Sequence, residues 1–147
     1  MTLQRMDLMA VIPDAYQAVL GLEKYSRSHV DPTLYELVKL RASMINGCAY
    51  CVDMHSHDAM EAGETAQRLF GLAAWEDGPF YTDKERAALA LTDEATRLGE
   101  HGVTDEVWNN ATSHFTDEEV ANLLVAIATI NVWNRICVPT RREPAHR

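Results

Sequence analysis

The chain has 147 residues, 47% of them hydrophobic, which fits one domain with a packed core. Its formal net charge of −9 argues against nucleic acid as a partner, because that binding depends on cationic contacts to phosphate. Three cysteines are too few, and odd in number, for a secreted disulfide scaffold; no apolar run reaches the roughly eighteen residues that span a membrane, and the N-terminus lacks the basic-then-apolar pattern of a secretory leader, so a cytoplasmic setting with reduced thiols is expected.

Residues 1–12 read as an extended N-terminal arm: Met6, Leu8, Met9, Val11 and Ile12 are apolar without a helical period. Pro13 opens a helix to about His29. Asp31-Pro32 starts the next, as an N-cap followed by proline at the first helical position. Its apolar stripe is Leu34, Leu37, Val38 and the region of Ile45, and Asn46-Gly47 stops it. A helix beginning at or just before Cys48 then runs to about Ala62, where Gly63 ends it. ETAQRLFGLAAW gives a shorter helix, and Glu76-Asp77-Gly78-Pro79 a loop. Thr82 with Glu85, and Thr116 with Glu119, are capping boxes. The first opens a helix to about Leu98; the second opens the last long helix, ending near Cys137. Between them Thr104 caps a short helix through Val107 and Trp108. The run LLVAIATINVW is apolar nearly all round, so that last helix should be central. Nothing alternates with period two. The prediction is an all-α, single-domain fold over 13–138, with 139–147 as a polar tail.

Chemistry concentrates between Glu36 and His57. Cys48 and Cys51 form a Cys-x-x-Cys pair, His55 follows Cys51 by four residues, and Glu36 precedes Cys48 by twelve. At about 100° per residue the two thiols and His55 share a sector of roughly 60°, whereas His57 points away. A thiol in the first turn of a helix meets unpaired N–H groups and the positive end of the dipole. Such positions lower a cysteine's pKa and favour the nucleophilic thiolate.

The pattern Glu36-x11-Cys48-x-Tyr50-Cys51-x3-His55 resembles the active-site signature of the alkylhydroperoxidase AhpD-like proteins, within the carboxymuconolactone decarboxylase superfamily. The close match covers about twenty residues, and the helical layout is similar over most of the chain. Where some members carry a histidine just before the second cysteine, this chain has Tyr50. The resemblance implies a thiol peroxidase in which the second cysteine bears the sulfenic acid and the first is its disulfide partner. It thus assigns Cys51 as peroxidatic, Cys48 as resolving, and Glu36 with His55 as the proton relay. It also implies a peroxide substrate, an external dithiol reductant or redox partner protein, and a homo-oligomer, trimer or hexamer. This chemistry needs no haem, flavin or metal, so no cofactor is expected.

Competing readings exist for each residue. Zinc could use Cys48, Cys51 and His55, but a structural site wants four ligands, usually as two separated pairs. Glu36 could be an ordinary helix carboxylate paired with Lys39 three residues on. Cys137 reads as a small buried hydrophobe, so mild oxidation should link Cys48 to Cys51 and leave it free. Asn131, Trp133, Asn134 and Arg135 read as structural, holding a helix end or a subunit interface. A dithiol–disulfide carrier would use the same cysteines. A decarboxylase-like lyase would leave them without a clear role.

Overall fold

A computed structural model describes residues 4–147. It is all-helical, with no strand among the described residues. The helices are α1 (Leu8–Val11), α2 (Pro13–His29), α3 (Pro32–Ile45), α4 (Ala49–Glu61), α5 (Ala66–Gly71), α6 (Asp83–Thr96), α7 (Asp105–His114) and α8 (Asp117–Thr140), with a 3₁₀ turn at Leu72–Ala74 after α5.

Local signals set most boundaries. The Asp31 carboxylate accepts from the N–H groups of Thr33 and Leu34 at 3.0 and 3.2 Å and opens α3. Both capping boxes close, at Thr82 on α6 and Thr116 on α8. Three segments differ from expectation. The arm is not wholly extended: Asp7 caps the single turn of α1, accepting from the Met9 N–H at 3.0 Å. The first three residues of the expected arm lie outside the described ones. Helix α7 continues to His114 because Ala111, fully buried, anchors its second half in the core. Helix α8 passes through Pro139 to Thr140. The turn after that proline is held by other donors: Thr140 Oγ1 to the Ile136 carbonyl at 2.7 Å and Arg142 N–H to the Cys137 carbonyl at 3.0 Å.

Helix α3 is the axis of the molecule and packs against α4, α6 and α8. Every residue from Leu34 to Ser43 is buried, including Glu36, Lys39 and Arg41. Buried charges persist only when paired, and these are. Arg41 makes a two-pronged ion pair with Asp93 of α6, at 2.7 and 2.9 Å, and Asp93 also accepts the Trp75 indole N–H at 3.2 Å. Lys39 pairs with Glu23 of α2, which also accepts from the Tyr35 hydroxyl and, at 2.9 Å, the Trp133 indole. Helix α8 is long and apolar enough to cross a membrane by length and composition alone, but half of its apolar window is buried inside the fold. It packs against α2, α3 and α6.

Candidate active site

The α3–α4 turn builds the site. Gly47 takes the left-handed backbone (φ 65°), which costs glycine nothing. The Cys48 N–H can then return to the Ser43 carbonyl at 3.0 Å, a Schellman closure. Cys48 thus ends one helix and caps the next: its Sγ accepts from the Cys51 N–H at 3.4 Å. Cys51 stands in the first turn of α4, its Sγ 2.8 Å from that of Cys48, both as free thiols. The turn is pinned from α8. Asn46 Nδ2 donates to Asn131 Oδ1 and Asn134 Oδ1 at 2.9 and 2.8 Å, and Asn134 Nδ2 donates to Ser43 Oγ at 3.1 Å.

Cys137 belongs to this cluster. The sulfurs of Cys48, Cys51 and Cys137 all lie within 4.8 Å of one another, and all three residues are buried. The sequence alone set Cys137 apart as a packing residue; the fold brings it in because α8 crosses the N-terminus of α4. The cluster distributes its proton unevenly. The neighbouring Cys137 and Cys51 thiols, with the Cys51 N–H, hold Cys48 well below the usual thiol range against the opposing effect of burial. Cys51 is pushed the other way by its Cys137 and Cys48 neighbours and by burial, and Cys137 is pushed up to about 11 by Cys48 and burial. Of the three, Cys48 is the thiol whose ionisation the cluster favours.

His55 and Glu36 form a pair beside the thiols. His55 is completely buried, Glu36 is 8% exposed, and His55 Nδ1 lies 3.0 Å from Glu36 Oε2. That contact occupies Nδ1 and leaves Nε2 as the ring nitrogen turned away from Glu36. Nε2 is buried and has no hydrogen-bond partner; no direct His55–Cys51 hydrogen bond is present. Glu36 does not pair with Lys39, which is turned to Glu23. The metal-like groupings divide in the same way. His55 falls with Glu36 and Asp58, not with the thiols, so the Cys48–Cys51–His55 zinc set is not assembled.

Three hollows surround the centre. One of about 200 Å³ reaches Cys51 and Cys137 between Tyr16, Leu20, Met54 and Trp133. A second, about 190 Å³, reaches Cys48 and Cys137 beneath Arg142 and Pro144. A third, about 270 Å³, lies on the far side of Glu36 and runs between Thr33 and Gly63. Tyr50 packs in the sulfur cluster with the Arg142 guanidinium 4.4 Å over its ring.

Known proteins resemble the chain over nearly its whole length. The model of the carboxymuconolactone decarboxylase family matches residues 12–94. The Bacillus subtilis (strain 168) protein YdfG, itself uncharacterized, is 38% identical over 98% of this chain and 99% of its own. A crystal structure from Agrobacterium tumefaciens superposes with a TM-score of 0.96 at 38% identity, covering 99% of this chain and 100% of that one. That protein is of unknown function, named as a candidate antioxidant defence protein AhpD. The alkyl hydroperoxide reductase AhpD of Nocardia farcinica (strain IFM 10152) is 35% identical over 39% of this chain and 32% of its own.

Proposed function

The chain belongs to the carboxymuconolactone decarboxylase family, on its AhpD-like, peroxidase-related side, and from that premise we propose that it is a thiol-dependent peroxidase using Cys48 and Cys51. The observation that carries the reading is the pair of sulfurs 2.8 Å apart at the start of α4, one of them facing an apolar hollow. Cys51 is the attacking sulfur. Its proton passes to the Cys48 thiolate, and Cys51 attacks the terminal peroxide oxygen; the O–O bond breaks, leaving Cys51 as a sulfenic acid and releasing an alcohol. Cys48 then attacks the Cys51 sulfur, the S–O bond breaks, and water leaves as the disulfide closes. From the monoanionic dithiol, one turnover consumes the peroxide and one proton and yields disulfide, alcohol and water. Glu36 and His55 supply that proton, drawing it from the hollow on the far side of Glu36.

Two features support this polarity. The apolar hollow reaches Cys51 and not Cys48, and His55 follows Cys51 by one helical turn. Tyr16, Leu20, Met54 and Trp133 in the lining of that hollow favour an organic hydroperoxide over hydrogen peroxide, with Glu23, Arg27 and Arg142 as the charged groups around them. An external dithiol of the reducing cytoplasm would restore the pair by attack at Cys48, whose own hollow opens elsewhere. The test is stopped-flow oxidation of reduced protein by cumene hydroperoxide and by hydrogen peroxide. One disulfide per chain should form, faster with the organic peroxide. No reaction beyond the rate of a free thiol would sink the reading.

The second reading is a dithiol carrier serving a separate peroxidase. It is favoured by the separate hollow that reaches Cys48 and not Cys51, where a partner disulfide would approach. A carrier reduces a disulfide readily while reacting slowly with either peroxide, so the same experiment with added oxidised glutathione separates the two.

A further inference from the structure

Cys137 has no part in the scheme above, yet its placement is not only that of a packing residue. It packs with Ala42 and Ile130 as a small hydrophobe would, but it also lies within 4.8 Å of both redox sulfurs and is the one sulfur that lines both thiol hollows. Its backbone is fixed. The Cys137 carbonyl accepts the Arg142 N–H that closes α8, at 3.0 Å, and Trp133, one turn earlier on α8, lines the Cys51 hollow with it. A gap of at most 4.8 Å between the sulfurs must then close to the roughly 2.05 Å of a disulfide bond.

We infer that Cys137 is a second resolving thiol for Cys51. The inference rests on the reading that peroxide oxidises Cys51. When Cys48 is engaged, as in a mixed disulfide with the external dithiol, Cys51 is uncovered toward its hollow and can meet another peroxide. The Cys137 sulfur then attacks the Cys51 sulfenic acid. An S–S bond forms, the S–O bond breaks, and hydroxide leaves with the Cys137 proton as water. Cys137 supplies the two electrons. The sulfenic acid is captured before further peroxide takes it to sulfinic acid, which thiols do not reverse.

The test uses the full chain with Cys48→Ser, checked for helical content by circular dichroism. It is oxidised in one arm with diamide and in the other with one equivalent of cumene hydroperoxide, then acid-quenched and mapped for disulfides. The expected product in both arms is an intramolecular Cys51–Cys137 link. Dimedone labelling of Cys51 should be at least about tenfold lower than in Cys48→Ser/Cys137→Ala. Diamide closing this link while peroxide leaves both thiols intact keeps Cys137 as the partner of Cys51 and is compared with the natural chain: no peroxide reaction there either sinks the peroxidase reading, whereas a normal reaction there reports the loss of the Cys48 base. Diamide giving only intermolecular dimers or untouched thiols would overturn the inference itself. Should Cys48→Ser not fold, Cys137→Ala in the otherwise natural chain decides. With excess hydroperoxide and dithiothreitol turnover, Cys51 sulfinic acid should accumulate several-fold faster than in the unmodified protein, and equal accumulation overturns the inference.

Discussion

Cys48 closes the turn after α3 with its backbone N–H and caps α4 with a side chain that ionises. Its folded-state pKa lies below that of the unfolded chain, lowered by the Cys137 and Cys51 thiols and the Cys51 N–H. The thiolate therefore favours the folded, reduced protein. That contribution is fully present above the unfolded thiol pKa and is lost as pH falls through the lowered one. Reduced protein should gain stability relative to Cys48→Ser as pH rises from about 5 to about 8. Thiolate absorbance at 240 nm should titrate below the usual range of about 8.5. A titration at the ordinary value, absent in Cys48→Ser, would contradict the assignment of charge. Glu36 gives a second test. Among the described residues its side chain bonds only to His55, so Glu36→Gln keeps the shape and loses the charge. Peroxide oxidation should slow by up to about 10²–10⁴-fold with the helical spectrum unchanged; unchanged kinetics would return Glu36 to a structural role.

At the scale of elements, α3 is held in place by charges as much as by its apolar stripe. Replacing Asp93 with alanine leaves the Arg41 guanidinium buried with only the Ala73 and Leu72 carbonyls, at 3.2 and 3.5 Å. Breaking a buried pair in this way costs about 3–5 kcal/mol, so the melting temperature should fall by roughly 10 °C. A shift of only a degree or two would mean that water reaches the pair. The same helix shows which features a sequence reveals. The Asp31, Thr82 and Thr116 caps were legible because cap and helix are neighbours in the chain. Glu36, Cys48, Cys51 and His55 could be singled out because their spacing is fixed and they lie on consecutive helices. Glu23 beneath Lys39, Asp93 against Arg41 and Cys137 beside Cys48 were not legible. Each pair joins distant segments, and a lone lysine, arginine or cysteine in an apolar run carries no local sign of its partner. The expected end of the last helix near Cys137 fell short for the opposite reason: the closing hydrogen bonds carry α8 through Pro139.

Over the whole molecule, apolar surface is unevenly spent. Helix α2 buries only Ser26 fully, while Met9, Val11, Ile12 and Leu22 along α1 and α2 are each about half exposed. Exposed apolar side chains on two adjoining helices are candidates for an interaction surface. We propose that a second copy of the chain covers them, in a trimer or hexamer. Light scattering at micromolar concentration should give a multiple of the 16.5 kDa protomer, and Val11→Asp with Leu22→Asp should shift it toward the monomer. A monomer in the unmodified protein would leave the face unexplained and remove assembly from the account.

The position of Trp133 gives the protein a signal of its own. The indole is held by Glu23, stands edge-on to Tyr16 with ring centres 5.3 Å apart, and shares a hollow with Cys51 and Cys137. Disulfides quench nearby indole emission far more than thiols do, whereas Trp75 and Trp108 lie outside that hollow. Intrinsic fluorescence should therefore drop on oxidation and recover on reduction, following turnover without any dye. In Trp133→Phe the emission should stay flat while the disulfide still forms, so the light follows the chemistry at the sulfurs and not a general loosening of the fold.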